Sequence, residues 1–242
     1  MKTQALTQTR PQAEPSTLAV WLLFAAIFAA VQIGSLFNPP LMDDVDSSHA
    51  EAAQHFSESS DWITAKVNGI RYIEKPPLPY WISGALYKVF GQNVFASHLP
   101  NALAMLGLAW MAWLWARRAW GPRAGLYAGL GVLTAVGPFL FTRFIIPEAQ
   151  LSLFLLIALY CLLTGFEPGR GACFYWMWAV LALAVLTKGL IAPTFFIGAA
   201  IPYLILSGLW RRWRALKPVA GVSALRYWAA RSLKGSICRV ND

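Results

Sequence analysis

Apolar runs separated by short polar connections set the plan of this chain. Stretches near Leu18–Phe37, Ser97–Ala116, Gly125–Phe144, Pro147–Phe166, Ala172–Thr187 and Leu190–Leu209 carry almost no charge. Each approaches the roughly 20 apolar residues that a helix needs to cross a hydrocarbon core about 30 Å thick. Because lipid offers backbone groups no hydrogen bonds, such runs must close their own hydrogen bonds as helices. The pattern therefore predicts an all-α polytopic membrane protein. The first run is preceded by a long, nearly neutral polar leader and is not followed by a clean small-x-small cleavage site, so it is read as a retained anchor.

One interval breaks the rhythm. Between the first and second runs, the segment 37–97 is polar and internally patterned. Ser47-Ser48-His49-Ala50-Glu51-Ala52-Ala53, continuing to Phe56, has helix formers after a serine and predicts a short amphipathic helix along the membrane surface. Val67-Asn68-Gly69-Ile70 predicts a hairpin turn. Pro76-Pro77-Leu78-Pro79 is a rigid lead into Tyr80-Trp81, aromatics suited to the headgroup level. Gly121, Gly125 and Gly129 recur every four residues, a signature of close helix packing.

Composition narrows the class. Hydrophobic residues make up 57% and charged residues 13%, against about 25% charged in an ordinary soluble domain. The net charge of +9 sits in short Lys and Arg clusters beside apolar runs, which is a topology signal and argues against a nucleic-acid surface. Cys161, Cys173 and Cys238 lie in or beside apolar runs without paired spacing and read as small apolar residues.

Charge also orients the chain. Arg117, Arg118 and Arg123 fill one connection, and Arg211, Arg212, Arg214 and Lys217 follow the last run, while 37–98 holds seven of the eleven acids. The positive-inside rule places the basic connections in the cytoplasm and the acidic loop outside. Counting runs onward brings the turn with Arg143 and Glu148, and the turn with Lys188, to the same outer side. Asp43, Asp44, Asp46, Glu74, Lys75, Arg143, Glu148 and Lys188 are thereby expected on one face. Taken singly, Arg143 could snorkel at a helix end and Glu148 could cap the helix after Pro147. Lys188 interrupts an uncharged run, which marks it as a functional candidate. Asp43, Asp46 and His49 form a candidate divalent-cation set, since hard cations favour carboxylate oxygen.

Several of these motifs carry a resemblance. The acidic cluster, the Ala50-Glu51 helix, Ser60-Asp61-Trp62, the run Asn68-Gly69-Ile70-Arg71-Tyr72-Ile73-Glu74-Lys75-Pro76-Pro77-Leu78 and Leu186-Thr187-Lys188-Gly189 occur in this order. The chain from about Phe37 to Trp210 thus resembles the bacterial GT-C-type glycosyltransferases of the lipid A aminoarabinose transferase and protein mannosyltransferase-like family. The resemblance implies a GT-C-type helix bundle that moves a sugar from a polyprenyl-phosphate (undecaprenyl) donor to a lipid or protein acceptor on the periplasmic side of the inner membrane.

It further implies an acidic catalytic base in the first outer loop. The family often has Asp-Glu there, where this chain has Asp43-Asp44-Val45-Asp46, so Asp44 is expected as base with Asp46 or Asp43 as its partner. Lys75 and Tyr72 are expected on the carrier phosphate, joined by Arg143 and Lys188, with Glu74 and Glu148 supporting. Glycosyl transfer needs such a base and such cations for the leaving phosphate. A transporter or assembly subunit is the competing class, but it would favour ionisable groups near the bilayer midplane. Three regions are expected: a cytoplasmic tail 1–17, a transmembrane domain 18–210 and a basic tail 211–242. Family members run much longer, so a truncated gene product, or a non-catalytic remnant, is also expected from the sequence.

Overall fold

The structure, a computed structural model, describes residues 16–37, 45–59, 61–72, 75–218 and Ser223. Asp43, Asp44, Glu74 and Cys238 lie outside the described residues.

Helix α1 (Thr17–Phe28) opens with Ser16, whose side chain accepts the Ala19 N–H at 3.1 Å. It continues through a wider π turn, Ala29–Ile33, into α2 (Gly34–Phe37). The predicted first run is thus helical throughout. Helix α3 (Val45–Glu58) is followed by a hairpin of β1 (Lys66–Val67) and β2 (Ile70–Arg71), antiparallel with Val67 opposite Ile70. Asn68 (φ 52°) and Gly69 (φ 74°) both take positive φ, as a two-residue primed turn requires.

Helix α4 (Leu78–Phe90) is a full helix where the sequence reading placed only aromatic anchors. Its prolines stand at the start, where a missing N–H costs nothing. Helix α3 packs along α4. Phe56, Ala52 and Tyr80 are buried together, and a Cβ at Gly84 of α4 would lie 3.0 Å from the Ala53 carbonyl. The apolar face of α3 is covered by α4.

Helix α5 (Val94–Trp120) begins earlier than expected. Asn93 accepts the Ala96 N–H at 2.8 Å, and this cap leaves Pro100 inside the helix instead of at its start. The run expected as one span over Gly125–Phe144 is broken into α6 (Pro122–Thr134) and α7 (Val136–Phe141), with Ala135 extended. Pro138 explains the break: in a continuous helix its ring would meet the Thr134 carbonyl. Helices α8 (Glu148–Gly165), α9 (Cys173–Lys188) and α10 (Ile191–Leu206) follow the predicted runs closely.

Two apolar clusters hold the bundle. Leu162 of α8, Phe174, Met177 and Leu181 of α9 and Phe196 of α10 form one. Val20 and Phe24 of α1, Ala109 and Trp113 of α5 and Leu133 of α6 form the other. The glycine repeat serves this second cluster: a Cβ at Gly129 would stand 2.1 Å from the Phe24 ring and 3.0 Å from the Ala109 carbonyl. Gly121 instead ends α5 with φ 94°.

The two ends of α8 differ in charge chemistry. Its 18 residues span about 27 Å, close to a hydrocarbon thickness. Glu148 at its start pairs with Lys188, and Glu167 beyond its end pairs with Arg118 and Arg170. The second end also receives a 3-10 segment, Leu209–Leu216, whose Leu216 carbonyl accepts the Trp178 indole N–H at 2.7 Å. Lys217 lies over the Tyr175 ring. The basic residues at 117–123, 170 and 211–217 therefore gather at the end opposite Glu148 and Lys188.

Candidate functional site

A partly open recess lies at the Glu148 end of the bundle, among α3, α4, α5, α8 and α9. Sequence chemistry builds it segment by segment. Pro76 and Pro79 stiffen the chain around Lys75 and bring its side chain to the recess. His49 comes from α3, Tyr80 from the first turn of α4, and Thr187 from the last turn of α9.

His49 and Lys75 form its polar centre. The His49 Nε2 lies 3.2 Å from the Lys75 Nζ, and the His49 Nδ1 lies 2.7 Å from the Tyr80 hydroxyl. A lysine ammonium carries only donors, so Nε2 accepts from Lys75. The ring proton then belongs to Nδ1, which donates to Tyr80. His49 is buried, 3% exposed, and Tyr80 likewise at 3%.

The wall opposite Lys75 is a turn held by side chains. Asp46 Oδ1 accepts the Ile145 N–H at 2.8 Å. The Asn101 amide donates to the Phe144 and Ile146 carbonyls at 2.8 and 2.9 Å, and His98 Nε2 lies 3.1 Å from the Arg143 carbonyl. Because both Asn101 amide hydrogens are used, its oxygen is turned to accept from the Gln150 amide at 3.3 Å. The Gln150 oxygen is buried without a hydrogen-bond partner among the described residues.

The sequence-predicted residues are distributed unevenly over this geometry. His49 and Lys75 line the recess, and Lys188 reaches Glu148 beside the lining residues Thr187 and Pro147. Asp46 is buried in the same wall. Arg143 contributes its carbonyl, while its guanidinium lies 4.6 Å from the Phe139 ring centre and its Nε is buried without a hydrogen-bond partner among the described residues. Tyr72 is half-buried, its ring edge-on to Tyr80 at 6.1 Å. Asp43, Asp44 and Glu74 are not among the described residues.

Of the candidate cation set, Asp43 is not among the described residues. The His49 nitrogens are engaged by Lys75 and Tyr80, and an ammonium 3.2 Å away is a poor neighbour for a metal ion. Among the described residues no three His, Cys, Asp or Glu groups converge as metal ligands.

Sequence reasoning missed Tyr80, His98, Asn101 and Gln150. A signal was present for the last two: uncharged amides inside otherwise apolar spans are costly unless partnered. For Tyr80 the aromatic-anchor reading concealed a hydroxyl with a buried partner.

A helix bundle of this connectivity, with a folded loop packed over one end and a basic side chain in the recess beneath it, defines a GT-C-type membrane protein. The sequence profile of the dolichyl-phosphate-mannose-protein mannosyltransferase family matches residues 74–227, and the chain belongs to that family. Among similar curated proteins is the undecaprenyl phosphate-alpha-4-amino-4-deoxy-L-arabinose arabinosyl transferase of Pseudomonas paraeruginosa, 28% identical over 85% of this chain and 38% of that protein. The Pseudomonas aeruginosa protein of the same name is 29% identical over 87% of the chain and 38% of its own length. The crystal structure of ArnT from Cupriavidus metallidurans in the apo state superposes with a TM-score of 0.81 at 27% identity, covering 90% of this chain and 42% of that one. The same protein bound to undecaprenyl phosphate gives 0.81 at 26% identity, covering 90% and 41%. The chain thus spans about two fifths of the length of these relatives.

Proposed function

We propose that this chain supplies the carrier-binding part of a membrane glycosyltransferase that takes a sugar from a polyprenyl-phosphate donor. Lys75 carries the reading. Among the described residues its hydrogen bond goes to neutral His49 and no carboxylate lies within ion-pair distance of it. Its charge is therefore available to a phosphate, which favours charge-assisted contacts. A solved relative of the same fold bound to undecaprenyl phosphate supports that choice of ligand.

Asp44 is the base that takes the acceptor proton, with Asp46 or Asp43 beside it. Asp46 is itself anchored on the Ile145 N–H of the recess wall. Tyr72, Arg143 and Lys188 assist at the phosphate, and Glu148 and Glu74 hold the cations in place. The acceptor is a lipid of the lipid A kind or a protein. The recess faces the periplasm of the inner membrane, residues 1–17 and 211–242 are cytoplasmic tails, and 18–210 form the membrane domain. The gathering of basic residues at the opposite end supports this orientation.

Binding of undecaprenyl phosphate to the chain in nanodiscs tests the reading. Lys75→Ala should weaken binding by about 1.5–3 kcal/mol, the worth of a hydrogen bond to a charged group. Lys88→Ala, whose ammonium sits over the Trp62 ring, should leave it unchanged. Equal losses from both substitutions would reduce the site to a nonspecific anionic-lipid contact.

A further inference from the structure

Three cations were expected to serve one phosphate, and their surroundings are not equivalent. Lys188 is ion-paired with Glu148. Arg143 lays its guanidinium on an aromatic ring. Lys75 is held by an acceptor that carries no charge, the Nε2 of His49 at 3.2 Å. A carboxylate in that position would hold the ammonium equally well, yet it would cancel the charge that an incoming phosphate needs.

The ring can play this part in only one tautomer. Lys75 has no acceptor to offer, so Nε2 must keep its lone pair and Nδ1 must carry the proton. Tyr80, 2.7 Å from Nδ1 and buried beside His49, accepts that proton and fixes the ring. The His49 and Tyr80 rings are also stacked, with centroids 5.5 Å apart. A lysine side chain in solution loses considerable rotamer freedom when it binds a ligand. Here part of that cost is met before the ligand arrives, and one of the three ammonium hydrogens is committed while two remain.

We propose that His49 is a positioning residue for the carrier phosphate: oriented by Tyr80, it presents the Lys75 ammonium to the recess through a neutral hydrogen bond that leaves the positive charge uncompensated. The inference rests on the reading of Lys75 as a phosphate ligand.

The test separates neutral acceptance from mere packing. Undecaprenyl phosphate is titrated into the 242-residue chain in phosphatidylcholine nanodiscs at about 0.15 M salt, where long-range surface charge is screened. Five variants are compared with the parent: His49→Leu, His49→Gln, His49→Glu, Lys75→Met and His49→Glu with Lys75→Met. Leu removes the acceptor and should weaken binding severalfold. Gln restores a neutral acceptor and should recover most of that loss. Glu is nearly the same size as Gln but pairs with Lys75, and should weaken binding by at least about tenfold, 1.4 kcal/mol. Adding Lys75→Met to His49→Glu should cost less than about twofold more, because the charge is already cancelled. The fraction of active sites from each titration keeps misfolded protein out of the comparison.

If Gln and Glu bind alike, or Gln is no better than Leu, His49 is only packing and the inference is overturned. Absence of saturable binding by the parent chain would overturn the reading of function and this inference together. Parent binding with a loss in Lys75→Met but no difference among the His49 variants would overturn the inference alone.

Discussion

Asp46 in the first turn of α3 accepts the backbone N–H of Ile145, 99 positions later in the chain, at 2.8 Å. This single bond joins the acidic loop to the turn before α8, and it lies in a part of the protein where Asp46 is 1% exposed. Loss of the acceptor strands a half-buried N–H, at a cost of up to about 1–3 kcal/mol. Asp46→Ala should therefore lower the midpoint of thermal unfolding in detergent, and Asp46→Asn, which keeps an acceptor oxygen, should lower it less. Identical midpoints for both variants and the parent would show that the turn is held by Asn101 and His98 alone.

The ion pair of Lys188 and Glu148 predicts a different behaviour. Each side chain is about one-third exposed (29% and 33%), so the pair should contribute no more than about 1 kcal/mol. A double-mutant cycle of Lys188→Met and Glu148→Gln on unfolding free energy should return a coupling of that size. Lys188→Met should also cost much less undecaprenyl phosphate affinity than Lys75→Met, since its charge is already balanced. An equal loss would mean that Glu148 releases Lys188 when the carrier binds.

Helix contact at Gly129 gives a prediction independent of function. Any Cβ there meets the fully buried Phe24 ring and a backbone carbonyl, and overpacking of this kind costs about 1–3 kcal/mol. Gly129→Ala should destabilise the chain by that amount. Gly131→Ala, two positions away with open space around it, should stabilise by a few tenths to about 1 kcal/mol through helix propensity. A Gly129→Ala chain as stable as the parent would mean that α1 is not seated on α6.

Orientation is open to direct labelling. Ile70 in the hairpin is 74% exposed, and Arg123 at the other end of the bundle is exposed as well. In intact cells, Ile70→Cys should react with an impermeant thiol reagent and Arg123→Cys should not. Equal labelling would remove the periplasmic assignment of the recess.

The base assignment has its own measurement. In an active form of the enzyme, Asp44→Asn should lower transfer by about 10² to 10⁴, the usual worth of base catalysis, with carrier binding retained. Normal turnover in Asp44→Asn, with loss in Asp43→Asn or Asp46→Asn, would move the role to a neighbour.

What the sequence determined by itself follows from local physics. Apolar run length placed α1, α8, α9 and α10 within a few residues, because lipid leaves a helix no alternative. Asn68-Gly69 dictated its turn, since few residue pairs tolerate two positive φ values in succession. Tyr72 to Leu78 and Leu186 to Gly189 marked the family. The placing of Glu148 and Lys188 at one end of the bundle and of Arg118, Glu167 and Arg170 at the other was also legible in the alternation of runs and connections.

Tertiary structure decided the rest. The amphipathic face of α3 does not name what covers it, and only the packing of Phe56 against Tyr80 shows that α4 does. The break at Ala135 is the exception, since Pro138 signals it locally through the carbonyl four residues back. Most of all, the sequence offered Lys75, Arg143 and Lys188 as equal cations. Their difference lies in what stands beside each one: a neutral imidazole from 26 positions away, an aromatic ring one turn back, and a carboxylate from 40 positions away. The charge that a cation presents to a ligand depends on its neighbours in space, and composition and spacing along the chain do not carry that information.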